Sequence, residues 1–210
     1  MIDERDQNES QRMDVFKEIG NIGAGNAATA MASVLNTEIR METPTVQFVP
    51  FNDIVNILNG PETLVVGLLV GMSGDLNGSI MLVLEMGDAY EMARTATGQR
   101  NGPPFDPRNP ALSALEQSAL EELANIIVGT YLSAICTMTG LTVRPAVPQM
   151  AIDMVGAIMS IVAIEYGKIG DSVLFLKTRF TDVNKAMTGH FFLIPDFDSY
   201  HVLIRSLRLD

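Results

Sequence analysis

The sequence predicts an α+β fold made by internal duplication, with two pseudo-symmetric halves that each hold a motif-bearing helix, β-strands that include a hairpin, and a closing helix. Three observations carry this expectation. Asp14, Glu18, Asn21, Gly25 and Pro44 are matched by Ser118, Glu122, Asn125, Gly129 and Pro148, each displaced by the same 104 positions without a gap. In both halves the apolar spacing changes from the three-and-four rhythm of a helix to strand-like runs. Between them, residues 98–109 are rich in glycine and proline. The expected organisation is therefore one domain, 1–210, of two repeats (about 11–97 and 110–209) joined by that linker.

The first ten or so residues are polar and are expected to fray. From about Gln11 to Leu35, Phe16, Ile19, Gly23, Ala27, Ala30 and Val34 recur on one side of a helix. Three of these are small, so a second backbone can approach closely. Residues 37–51 alternate like strands, with Pro44 and Pro50 at edges or turns, and residues 53–58 suit a short helix or turn. Runs 63–72 and 78–84 flank Ser-Gly-Asp-Leu-Asn-Gly and predict a hairpin. A helix over about 87–97 closes the half. The second half predicts a helix over about 110–139, an extended segment ending near Pro148, strands over 153–166 and 172–181, a strand over 189–195 corresponding to 78–84, and a helix from Phe197. The last strand correspondence is displaced by 111, which places seven extra residues in the turns around 166–171 or 181–188.

A hydrophobic content of 47% in 210 residues supports a sizeable core. The net charge of -11 argues against general nucleic-acid binding and against attraction to an anionic membrane surface. One cysteine, Cys136, permits no internal disulfide and fits a reducing cytoplasm. The N-terminus, acidic rather than basic and apolar, does not read as a secretory signal. The apolar runs 64–72 and 154–164 fall short of the ~20 residues that span a bilayer and read as buried strands.

On a helix, positions i, i+4, i+7 and i+11 fall within an arc of about 60°. Asp14, Glu18, Asn21 and Gly25 therefore form a narrow polar stripe opposite the apolar face, and Ser118, Glu122, Asn125 and Gly129 form another. A lone stripe of this kind is ordinarily a solvated face. Here the polar positions match while buried neighbours differ (Gly23 against Ile127, Ala24 against Val128), the reverse of what a shared core alone would preserve. The carboxylate suits pairing with a partner's cation. The carboxamide, donor and acceptor together, suits holding and aiming a water. With no His, Cys or Lys in the stripe, a nucleophile or an internal metal site is not expected, and the partner must supply the charged chemistry.

The segments Glu-Ile-Gly-Asn-Ile-Gly-Ala-Gly-Asn (18–26) and Glu-Glu-Leu-Ala-Asn-Ile-Ile-Val-Gly (121–129), with the twice-occurring pattern Asp/Ser-x3-Glu-x2-Asn-x22-Pro, resemble the CheC family of chemotaxis phosphatases, within a superfamily that includes CheX and FliY. The resemblance covers essentially the whole chain. Two motifs place it nearest to CheC proper, since CheX carries one in a shorter chain and FliY-type proteins add a flagellar switch domain. The resemblance implies a CheY-type response regulator as substrate, its aspartyl phosphate hydrolysed. It implies that Glu18 and Glu122 pair with a regulator lysine and that Asn21 and Asn125 orient the attacking water. Magnesium would be carried by the regulator, and no cofactor of the chain's own is implied. Some members bind the receptor deamidase CheD, which makes a non-catalytic adaptor for CheD or a motor-switch component the competing reading. Two intact motifs favour the enzyme.

Ala124 departs from the pattern, standing where the first motif has Gly20; two competent sites of unequal activity are expected. The glycines of residues 20–25 do not follow a strand and so do not read as a phosphate loop. Cys136 reads as a core residue, and His190 and His201 lack ligands at zinc spacing. Internal duplication already supplies a two-fold arrangement, so a cytoplasmic monomer is expected.

Overall fold

A computed structural model of the chain describes residues 4–43, 45–99, 103–166, 172–182 and 185–207. Helix α1 spans Glu4–Leu35 and is followed by β1 (Ile39–Met41), β2 (Thr45–Pro50), the short α2 (Phe51–Ile57), β3 (Leu64–Gly74), β4 (Gly78–Glu85) and α3 (Met86–Ala96). The second half repeats that order as α4 (Ala114–Thr139), β5 (Val143–Pro145), β6 (Gln149–Met154), α5 (Val155–Tyr166), β7 (Ser172–Asp182), β8 (Lys185–Pro195) and α6 (Phe197–Ser206).

Two expectations are corrected. The chain is already helical at Glu4, where fraying was expected up to residue 10; the Glu, Arg and Gln of this stretch are good helix formers. Residues 155–166, expected to be strand, form α5 instead. Among its residues up to Ser160, Val155, Ile158 and Met159 are buried, at helical spacing, in a run so uniformly apolar that periodicity cannot separate helix from strand.

Eight antiparallel strands form one sheet in the order β1-β7-β8-β4-β3-β5, with β2 also pairing with β7 and β6 with β3. Each repeat thus lends its first two strands to the hairpin of the other. At the centre β4 lies antiparallel to β8, Gly78 opposite Pro195 and Leu84 opposite Gly189, which places the pseudo-two-fold axis between them. Gly67 pairs with Ala151 and Gln47 with Phe175. By the strand registers the repeat offset therefore grows from 104 at β2/β6 to 108 at β3/β7 and 109 at β4/β8, and it reaches 111 at the closing helices α3 and α6. Four of the extra residues precede β7, one lies in the β7–β8 hairpin and two fall between the paired stretch of β8 and α6, so the expected placement in the two turns accounts for five of the seven.

The sheet is covered on both faces. Ile80, Leu82, Phe191 and Leu193 turn toward α1, α3, α4 and α6 in the larger core, while Met81, Val83, Phe192 and Ile194 turn toward α2 and α5 in the smaller. Burial on both faces explains why the central strands read as unbroken apolar runs rather than as alternation. At the β3–β4 turn Gly74 and Gly78 adopt φ of +125° and +135°, backbone that side-chain-bearing residues disfavour.

Helix α4 is the described helix that is long and apolar enough to cross a membrane by length and composition alone. It packs against α1 and the sheet, and half of its most apolar window is buried inside the fold.

Candidate functional site

The site is built on α1 and α4, which lie side by side. Their contact face follows the predicted small-residue stripe as far as Ala27, all of Phe16, Ile19, Gly23 and Ala27 being buried. Beyond it the face drifts: Met31 and Leu35 are buried, whereas Ala30 is half-buried and Val34 is exposed. Successive steps of four, 23-27-31-35, keep the stripe against the core where the predicted 30 and 34 turn outward. At Gly23 the contact leaves no room for a side chain, for a Cβ there would lie 2.5 Å from Cδ1 of Tyr131. Tyr131 is in turn stacked on Phe191, ring centroids 4.3 Å apart. The repeat swaps bulk across the axis: Gly23 faces Tyr131, and their equivalents Ile127 and Ala27 are both fully buried.

With that face fixed, the polar stripes turn outward. Asp14, Glu18, Asn21 and Gly25 are all exposed on α1. On α4, Ser118, Glu122 and Asn125 are exposed and Gly129 is half-buried. A Ser113–Glu116 capping box starts α4, and Gly140 ends it in a left-handed cap; the helix carrying the second stripe is therefore fixed at both ends.

The second stripe borders an open groove of about 350 Å³ lined by Ser118, Glu121, Glu122, Asn125 and the segment Pro145, Ala146, Val147 and Pro148. Four of the five predicted second-half residues thus line one concavity; Gly129 lies beyond it, one turn further along the helix. Sequence reasoning missed Glu121 and the 145–147 segment as site residues. The signal available was the Pro-Ala-Val-Pro string itself, whose two fixed φ angles make a stiff wall. Of the first-half set, Pro44 lies outside the described residues. Lys17 reaches Asp14 at 3.1 Å, an exposed pair of small energetic consequence.

Ala124, the departure from the motif, is fully buried. Its methyl group faces the core and does not line the groove, so any effect it has on the second site acts through helix packing and not through contact with a partner. Gly25 and Gly129 behave differently from Gly23: a Cβ on either would meet nothing within 4 Å. Neither appears among the glycines with positive φ. The fold itself makes no demand for glycine at these two positions. Among the described residues, no group of three or more His, Cys, Asp or Glu is placed to hold a metal ion.

A model of the CheC-like family matches residues 12–47 and 115–152, the two stretches that carry the paired stripes. Over 199 residues the chain is 34% identical to the CheY-P phosphatase CheC of Bacillus subtilis (strain 168), spanning 94% of either chain. The chain belongs to the CheC-like family. Its fold recurs in the crystal structure of Thermotoga maritima FliY, with a TM-score of 0.73 at 18% identity over 93% of this chain and 94% of that one. It recurs also in a chain of the CheX–CheY–BeF3–Mg2+ complex from Borrelia burgdorferi, with a TM-score of 0.51 at 19% identity over 81% of this chain and 94% of that one. Two separate family matches in one CheC-like chain agree with the internal duplication predicted from its sequence.

Proposed function

We propose that this chain is a phosphatase that hydrolyses the aspartyl phosphate of a phosphorylated CheY-type response regulator in the cytoplasm, with one site at Glu18 and Asn21 and a second at Glu122 and Asn125. The observation that carries the reading is the groove in which Ser118, Glu122, Asn125 and Pro148, four residues of the repeated pattern, stand together on a capped helix. The CheY-P phosphatase named among its relatives supports the same substrate class.

In this reading the Glu carboxylate pairs with a lysine of the regulator and sets the approach. The Asn carboxamide then enters beside the phosphoryl group. It positions a water in line with the bond to the aspartyl oxygen, accepting from the water and donating to a phosphoryl oxygen. The water oxygen bonds to phosphorus, the phosphorus–carboxylate oxygen bond breaks, and aspartate and inorganic phosphate leave, the water's proton passing to phosphate. Positioning and charge neutralisation do most of the work in phosphoryl transfer, and Mg2+ belongs to the phosphorylated regulator, the substrate. Gly25 and Gly129 fit the same picture. Glycine inside a helix costs about 1 kcal/mol relative to Ala, and here the fold gains nothing from it; a partner surface that approaches the helix closely would.

The test is phosphate release from a phosphorylated CheY-type regulator with Mg2+ and catalytic amounts of this protein. Many turnovers per chain are expected. Stoichiometric binding without turnover would replace the phosphatase with an adaptor for the regulator, and absence of both would leave CheD or a motor-switch component as the partner to test.

A further inference from the structure

The two sites share Glu and Asn but not their surroundings. Displacing the second groove's lining by 104 positions gives the first site's counterparts: Ser118 becomes Asp14, Glu121 becomes Lys17, and Pro145, Ala146, Val147 become Met41, Glu42, Thr43, so that both sites carry the same net charge but distribute it differently. Lys17 stands against Asp14, so the charge added to the first stripe is partly met within the helix. Glu121 instead lines the groove beside Glu122, giving the helical wall two adjacent carboxylates. Val147, on the facing wall, is 83% exposed, the most exposed of the large apolar side chains described, and Leu115 on α4, one turn before Ser118, is 60% exposed. An acidic wall opposite an apolar one is the pattern of a protein-binding rim that steers a cationic surface and then buries apolar contact.

We infer that the two sites are not equivalent in what they recognise: Glu121 and Val147 are specificity-determining residues that make the second groove select a regulator surface presenting basic residues beside an apolar side chain, whereas the first site, with Asp14 and Glu42 for Ser118 and Ala146 and with Thr43 for Val147, takes a surface without the apolar neighbour. This rests on the phosphatase reading of the motifs and adds a division of labour to it. The shared Glu and Asn supply the reaction, and the unshared rim chooses the substrate.

The experiment measures the dissociation constant of a CheY-type regulator loaded with BeF3− and Mg2+, across a salt series, for the full chain carrying Glu18→Lys, which leaves the second groove to bind. Into that protein go Glu121→Lys and Val147→Thr, each the residue that the fold already carries at the equivalent place in the other repeat. Each is expected to weaken binding about fivefold. Glu121→Lys should also flatten the salt dependence, while Val147→Thr leaves its slope unchanged. In the reciprocal Glu122→Lys protein, Lys17→Glu should tighten binding and steepen the salt dependence. Unchanged affinity and unchanged salt slopes in the rim variants would overturn the inference. If, in addition, Glu18→Lys with Glu122→Lys abolishes binding and turnover, the phosphatase reading stands without it; if that double variant still binds and hydrolyses as before, both fall.

Discussion

Gly23 and Gly25 sit two positions apart on α1 and answer to different constraints. Gly23 faces Tyr131 across the helix contact, and the ring, held by its stack on Phe191, cannot retreat freely. Gly23→Ala is expected to lower stability by roughly 1–3 kcal/mol, measured by chemical denaturation. Gly25→Ala and Gly129→Ala should do the opposite, raising stability by about 0.5–1 kcal/mol, because the added methyl group meets nothing within the fold, while weakening regulator binding if the proposed docking face is the one used. A loss of stability in those two would mean that the fold, not the partner, requires the glycines. Tyr131 carries a further consequence. Its hydroxyl is buried without a hydrogen-bond partner, and burial pushes the phenol well above its usual range. In the unfolded chain the phenol ionises near ~10. The folded chain therefore holds more protons above that pH, and this contribution to stability is present below about pH 10 and declines as pH rises past it. Tyr131→Phe should raise stability at neutral pH by about 1 kcal/mol and flatten the alkaline limb of the stability profile. The same residue scale shows what a sequence conceals. Glu18, Asn21, Glu122 and Asn125 could be singled out because they repeat, whereas repetition could not reveal Glu121 and Val147, because their counterparts Lys17 and Thr43 differ from them.

At the scale of elements, the closing helices are fastened by a reciprocal pair of hydrogen bonds. Asp88 on α3 accepts from the backbone N–H of Thr188 at 2.9 Å, and Ser199 on α6 accepts from that of Asn77 at 2.7 Å. Both members are related by the 111-residue offset that relates α3 to α6, so each half's closing helix is tied to the other half's strand region. Ser199→Ala should cost about 1 kcal/mol in denaturant unfolding and increase amide exchange at Asn77; unchanged exchange there would deny the bond a fastening role. The long helices, the β3–β4 hairpin and the closing helices were legible in sequence because amphipathic spacing, paired glycines and turn residues are local signals. Helix α5 was not legible: Val-Gly-Ala-Ile-Met-Ser-Ile-Val-Ala-Ile offers no polar face to reveal its period, and only its place over β3, with Gly156 against Pro61, shows why it winds as a helix.

Across the whole molecule, the exchange of strands between repeats was beyond the reach of a linear reading. Residues 45–50 precede their own half's hairpin in sequence, separated from it by α2, yet they pair with Leu176 and its neighbours in the other half, and residues 149–154 pair with β3 in return. Such pairings are decided by long-range geometry, not by local pattern. The arrangement makes each half's sheet incomplete without the other and holds both motif helices on one face, α1 against α4, with their polar stripes facing outward. Duplication has thus kept the polar residues in register while the buried contact became unequal, Gly23 with Tyr131 on one side and Ala27 with Ile127 on the other.

The central claim is that the asparagines, not a charged residue of this chain, carry hydrolysis at two sites. It is tested most directly by the rate of regulator dephosphorylation with Asn21→Ala, Asn125→Ala and the two combined, at matched folded concentration. The account predicts that each single variant keeps the activity of the other site and that the double variant falls to the regulator's own rate of phosphate loss. Dephosphorylation surviving in the double variant would contradict it.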